Sequence, residues 1–272
     1  MIPTRALFLL LLVAACKTNP YTGRKQLLAM SEKREIELGQ EAWKAELRKA
    51  QVEYDVELIA PLRRVGKAIA HEAATGRREQ AQREGQEPIP YDWTFVLIRD
   101  RQINAWALPG GKIAFYTGIY PVLQDEAGMA IVMGHEVMHA MLRHGAERMS
   151  QKGTQVGGVI LAGIAAPATI AAMIAFGLGT KYGVLMPYSR KQETEADEHG
   201  LMLAARAGYD PEAALAVWQR MAAISSSKTP AFLSTHPDTL KRIENMKKLM
   251  PRAKALYEQS RKQPNSMLPI PG

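Results

Sequence analysis

Two histidines four positions apart, with a glutamate directly after the first, are the residues best suited to chemistry: His135-Glu136-Val137-Met138-His139. The surrounding pattern predicts one helix over about 119–149. Positions i and i+4 of a helix lie about 40° apart around its axis, so both imidazoles share a face. From there they can bind one tetrahedral zinc ion at roughly 2.0–2.1 Å. Glu136 sits beside a ligand without being one, which places its carboxylate to take a proton from zinc-bound water. The same spacing also fits an ordinary amphipathic helix. A catalytic zinc takes three protein ligands and keeps one position for water, so a third ligand is needed.

The segment Ser189-Arg190-Lys191-Gln192-Glu193-Thr194-Glu195-Ala196-Asp197 opens a second helical run, continuing to Ala207. Glu193 and Asp197 are i,i+4 and share a face, whereas Glu195 points elsewhere. Glu193 is placed to ligate zinc, and Asp197 to accept a hydrogen bond from a ligand imidazole, fixing its tautomer. The plain alternative is an acidic, solvated first turn that complements the helix dipole. A third histidine on the first helix is excluded. Where the pattern HExxHxxGxxH needs Gly and His, Leu142 and Gly145 stand.

HEVMH followed by SRKQETEAD resembles the zinc metallopeptidase family that includes HtpX and the CAAX prenyl proteases. Within that gluzincin family the chain is similar to a bacterial lipoprotein branch, the BepA and LoiP type, related to the mitochondrial Oma peptidases. The resemblance runs from Asn19–Leu27 through Asn104-Ala105-Trp106-Ala107-Leu108-Pro109-Gly110-Gly111 to Ser234-Thr235-His236-Pro237. It implies Glu193 as the third zinc ligand with Asp197 behind it, one Zn2+ per chain, and Asn104, Ala105, Trp106 and Ala107 beside the substrate cleft. His236 matches a loop histidine and Arg242 an arginine that follows it. His236 is either an exposed loop residue or a group leaning on the metal, steadying an oxyanion or filling the open position at rest; the resemblance favours the second. Asp238 and Thr239 read as a cap for the helix after it. His71, His144 and His199 gain no support from the resemblance. His144, five residues past His139, is rotated off the zinc face and reads as structural.

The N-terminus suggests a compartment. Arg5, an apolar core over 6–14 and small residues before Cys16 read as a signal peptide over 1–15. Cys16, the one cysteine, stands where a bacterial lipobox requires it, so lipidation there and a lipid-anchored segment over 16–30 are expected. Lys17 by the same resemblance points to the periplasmic face of the outer membrane. No intrachain disulfide is possible, so core packing and metal must hold the fold. Lys and Arg number 35 against 27 Asp and Glu, a formal charge of +8. The basic residues are scattered with no nucleic-acid motif, so anionic lipid beside the anchor is the easier partner. The 28 uncharged residues between Lys152 and Lys181 are long enough to span a bilayer. One crossing would part His135 and His139 from Glu193, and two would need about 40 apolar residues. A broken helical pair near the active site or resting on the membrane surface is expected instead.

The fold class expected is α+β: a mostly helical zincin-like domain over 31–262, with a small antiparallel or mixed sheet beside the HExxH helix. Helices are expected over about 31–50, 56–72, 211–224, 238–250 and 251–262, with a charged connector over 76–90. Strands are expected over 93–99 and around Pro109-Gly110-Gly111 into 112–117. The tail, 263–272, holds three prolines and reads as disordered. Function follows as a zinc endopeptidase that takes an extended segment as an added strand and cuts misfolded or unassembled envelope proteins. The alternative is an assembly chaperone whose zinc is structural or whose proteolysis is latent.

Overall fold

A computed structural model describes residues 16–155, 187–225, 230–236 and 239–271. The signal peptide, most of the apolar stretch and the cap at Asp238 lie outside the described residues. Among the described residues, no helix is long and apolar enough to cross a membrane.

Two short strands, β1 (Cys16–Thr18) and β2 (Lys25–Leu27), pair antiparallel and precede the helices. Helix α1 (Glu32–Leu47) starts at Ser31, whose hydroxyl accepts from the Arg34 N–H. Helix α2 spans Val56–Arg83, capped by Asp55. It runs through 76–83, where a connector was expected. Side-chain pairs one turn apart (Gln80 with Glu84, Arg83 with Gln80) and burial of Gln80 and Ala81 carry it on.

Strands β3 (Thr94–Ile98), β4 (Ala105–Leu108) and β5 (Lys112–Tyr116) form a mixed sheet in the order β3-β5-β4. β3 runs parallel to β5 and β4 antiparallel to it. Side chains alternate across the sheet as the strand period requires. Ala105, Ala107, Ile113 and Phe115 join the main core with Leu62, Val65 and Ile69 of α2. Trp106, Leu108 and Ala114 face α1, where Trp43 meets Trp106 edge-on with ring centres 5.6 Å apart.

The single helix expected over 119–149 is three. After a 3-10 turn at Thr117–Ile119 come α3 (Tyr120–Leu123), α4 (Glu126–Met141) and α5 (His144–Gln155). Gln124 (φ 68°) and Arg143 (φ 58°) lie in left-handed backbone at the two breaks. Neither position is glycine or proline; Asp125, whose side chain accepts from the Gly128 N–H, marks the restart after the first break, and nothing comparable marks the second. Then follow α6 (Arg190–Arg206), α7 (Ala213–Ser225), α8 (Ala231–Thr235) and α9 (Thr239–Gln259). Pro251 lies inside α9, so the two helices expected there are one.

The tail is ordered over 263–271, correcting the expectation of disorder. Met267 bridges Asp125, and Leu268 is buried in the main core. The Glu126 N–H donates to the Ser266 carbonyl and the Ala127 N–H to Asn265 Oδ1. The tail therefore supplies acceptors to the first turn of α4, whose N–H groups have no partner within the helix.

Candidate active site

Helix α4 carries His135, Glu136 and His139 and is buried along its whole length. Helix α6 carries Glu193 and Asp197 and starts in a capping box between Ser189 and Gln192. The two helices cross at a pair of glycines. A Cβ on Gly134 would lie 2.6 Å from the Gly200 carbonyl oxygen, and one on Gly200 would lie 2.7 Å from the His135 nitrogen. This backbone contact draws side chains 54 to 62 residues apart in sequence into one site.

His135, His139, Glu193 and His236 each turn one donor atom to a common point, all within 4.8 Å of one another. His135 Nε2 lies 3.0 Å from His139 Nε2 and 3.2 Å from His236 Nδ1. Glu193 Oε1 lies 3.0 Å from His236 Nδ1 and 3.4 Å from His139 Nε2, and Glu193 Oε2 is 3.7 Å from His135 Nε2. A tetrahedral zinc with bonds of about 2.0–2.1 Å keeps its donors about 3.3–3.4 Å apart. Among the described residues, Glu193 Oε2 and Glu136 Oε1 are buried and accept no well-formed hydrogen bond, each having only ion-pair neighbours. Converging imidazole and carboxylate lone pairs in a buried spot, at that spacing, fit one zinc ion.

Around this cluster the polar groups are held in order. Asp197 Oδ1 is 2.9 Å from His135 Nδ1, leaving Nε2 for the metal. Arg242 grips Asp197 with two hydrogen bonds, Nε to Oδ2 at 2.8 Å and Nη2 to Oδ1 at 2.7 Å. Its Nη1 stands 3.0 Å from Glu193 Oε2, and its guanidinium lies 3.7 Å from the centre of the Trp218 ring. Burial pushes both carboxyls up. At Asp197 the charge and hydrogen bonds of Arg242 together with His135 outweigh it, and at Glu193 the charges of His236 and Arg242 together with hydrogen bonds from His139 and His236 do, so that this carboxyl is held well below its usual range. Burial, then the Arg242 charge, brings His135 down to about 4. Burial likewise holds His139 well below its usual value. Both are therefore neutral, as metal ligands must be.

Glu136 differs from Glu193. Burial raises it to about 7, and the Glu193 charge adds to that, against His236, Arg242 and the Ala107 N–H. A carboxyl near neutrality can take and return a proton. His236 Nε2 stands 3.3 Å from Glu136 Oε1, so this imidazole touches both the metal cluster and the base.

Of Asn104, Ala105, Trp106 and Ala107, Ala107 comes near Glu136, on a strand that packs against α4. Tyr116 donates its N–H to Asn104, so by strand alternation the backbone groups of Ala105 and Ala107 point away from β5. The Ala105 N–H donates to the Asn104 side chain, and the Ala107 N–H is near enough to Glu136 to lower its carboxyl. Trp106 turns to the opposite face of the sheet and packs on Trp43.

Sequence reasoning missed several neighbours. Tyr188 stacks on His139 (3.7 Å) and on His236 (5.1 Å), and its N–H donates to the Thr235 carbonyl. His144 is not rotated clear of the site. The break at Arg143 resets the helix phase, and His144 Nδ1 lies 2.9 Å from His139 Nδ1. Glu195 does point away from the cluster, toward His144 and Arg24. His71 is exposed, and neither it nor His199 joins the cluster.

The chain is 40% identical over 170 residues to the mitochondrial metalloendopeptidase OMA1 of Schizosaccharomyces pombe, covering 62% of this chain and 50% of the relative. Its human counterpart is 31% identical over 271 residues, covering 93% of this chain and 49% of the relative. The beta-barrel assembly-enhancing protease of Escherichia coli is 34% identical over 153 residues, covering 53% of this chain and 31% of the relative. The chain thus spans about half the length of the curated relatives it matches, or less. Residues 67–250 match the pattern of Peptidase family M48, a stretch that holds every residue of the metal cluster. With the match covering more than half of its length, the chain belongs to peptidase family M48.

Proposed function

We propose that this chain is a zinc-dependent endopeptidase of the bacterial cell envelope, acting on exposed segments of misfolded or unassembled envelope proteins. The observation that carries the activity is the buried His135-His139-Glu193 donor set with Glu136 beside it. A purely structural zinc gains nothing from a free carboxylate next to its ligands. Bound there, zinc supplies Lewis-acid polarisation of the scissile carbonyl and a more acidic water. Glu136 takes the proton of the attacking water and returns it to the leaving amine. Asp197 and Arg242 keep the His135 tautomer fixed throughout. A substrate strand along β4 would bond to the outward backbone of Ala105 and Ala107, with little demand on sequence.

The arrangement is a resting one, and this favours the latent version of the alternative reading. His236 supplies a fourth donor where a catalytic zinc keeps an open position. The ligands and Glu136 are at most 3% exposed, under Tyr188. The Ala105 N–H is already taken by Asn104, and the Ala107 N–H lies near Glu136. Activation then means that the His236 loop leaves, freeing the metal's fourth position and Glu136 together. The His236→Ala variant should cleave an unfolded protein faster than wild type. Equal or slower cleavage contradicts latency.

The envelope placement, lipid attachment at Cys16 and anionic lipid as a partner belong to the same proposal. It is supported by an exposed, unpaired Cys16 and by similarity to a bacterial beta-barrel assembly-enhancing protease. Mass spectrometry of the chain made in a Gram-negative cell tests it. A diacylglyceryl mass on Cys16 is the expected result; an unmodified thiol contradicts it.

A further inference from the structure

The ligand His139 must present a lone pair on Nε2, so in its neutral form the proton sits on Nδ1. That proton points at His144 Nδ1, 2.9 Å away. His144 Nδ1 must then accept, which places the His144 proton on Nε2. His144 Nε2 in turn faces Glu195 Oε2 at 3.1 Å. Glu195 is held from its far side by Arg24, with Nε to Oε1 at 2.6 Å and Nη2 to Oε2 at 2.9 Å. The same guanidinium also grips Glu147. Every donor along this line meets an acceptor in one arrangement only, and reversing either link of His144 would put a proton on the nitrogen that faces the metal.

Arg24 lies in the turn between β1 and β2, and that turn is fastened where α4 ends. Asn19 Nδ2 and Gln26 Nε2 both donate to the Leu142 carbonyl, at 3.2 and 3.0 Å. Gln26 and Gln192 also donate to Glu147. The strand pair therefore holds both the end of the HExxH helix and the carboxylate behind His144.

We propose that Arg24, Glu195 and His144 form a positioning chain for the ligand His139, which makes the N-terminal strand pair part of the metal centre. Two ligands are thereby oriented by different devices: His135 directly by Asp197, His139 through a second imidazole. The proposal rests on the reading of His139 as a zinc ligand. Disturbing the chain should loosen zinc about 10–100-fold, the effect usual for groups that orient a ligand.

The first test is nitrogen NMR of the imidazoles in the full wild-type chain, before and after zinc is added. The expected result is a His139 Nε2 resonance that moves on zinc binding, with protons on His139 Nδ1 and His144 Nε2. If His139 does not respond to zinc, the ligand reading itself fails. If it responds while His144 carries its proton on Nδ1, or carries two, the positioning chain is overturned. Zinc affinity by competition with a chelator gives the second readout. His144→Leu, which cannot accept, and Arg24→Ala should lose the stated affinity. His144→Asn, whose Oδ1 can still accept, should keep most of it. Equal affinity for His144→Leu and His144→Asn, with unfolding midpoints of the zinc-free forms alike, overturns the proposal.

Discussion

His236 and Glu136 share one contact, so each can be tested with the other as reference. Replacing Glu136 by Gln leaves the shape of the site and removes its base. The variant should bind zinc as wild type does and lose about 10²–10⁴-fold in turnover, measured on an unfolded protein. Arg242 is a different kind of residue: it faces Asp197 and Glu193 in a space closed to water. Arg242→Ala would leave two buried carboxylates without their partner, a loss of about 3–5 kcal/mol in the denaturant midpoint analysis. A loss below 1 kcal/mol would show that water reaches those carboxylates. The pattern HExxH made His135 and His139 legible, because i,i+4 spacing converts directly into a shared helix face, whereas Glu193 and Asp197 were singled out by the family resemblance. His144 was not legible. Its place depends on the left-handed backbone at Arg143, and neither Leu142 nor Arg143 signals a break.

At the scale of elements, the site exists because α4 and α6 touch backbone to backbone at Gly134 and Gly200. Neither glycine has a positive φ; each is small because the other helix is there. Gly200→Ala would drive a methyl group into the His135 backbone and separate the ligand pairs. We expect about 1–3 kcal/mol of lost stability together with weakened zinc binding, read by calorimetry and chelator competition. Unchanged zinc affinity would mean that the helix crossing does not set the metal geometry. The glycines were visible in the sequence, but their partnership was not, since it joins positions on different helices. The extension of α2 through 76–83 was missed for a related reason. Its charges read as a connector, whereas Arg83 and Glu84 each bond to Gln80 one turn away along a helix.

Across the whole molecule, segments from both ends of the chain close on the HExxH helix. The β1–β2 turn holds its C-terminal end, and the tail holds its first turn. Three prolines made the tail look disordered, but a proline removes only its own N–H, and the tail is held through the N–H groups of Gln263 and Leu268, the Ser266 carbonyl and the Asn265 side chain. Removing residues 263–272 should cost about 2–4 kcal/mol, from a lost helix cap and the exposure of Leu268, seen as a lower denaturant midpoint. An unchanged midpoint would show that the tail merely rests on the domain. Acid stability has a separate source. The Arg99 hydrogen bonds, aided by the Asp55 and Tyr54 N–H groups, hold Glu53 down to about 2. Because the folded value lies below the ordinary one, this stabilisation is present above about pH 4.3 and is lost as pH falls toward 2. Glu53→Gln should flatten that acid limb in a pH series of thermal unfolding; an unaltered limb would assign it to other carboxyls.

The central claim is that this buried cluster cuts peptide bonds. The most direct measurement incubates the zinc-loaded full chain with an unfolded protein, beside Glu136→Gln and His236→Ala, and identifies new peptide termini by mass spectrometry. Cleavage by wild type that rises in His236→Ala and vanishes in Glu136→Gln is the predicted result. Zinc bound at one per chain with no new termini from wild type or His236→Ala, or equal cleavage by Glu136→Gln, would contradict it.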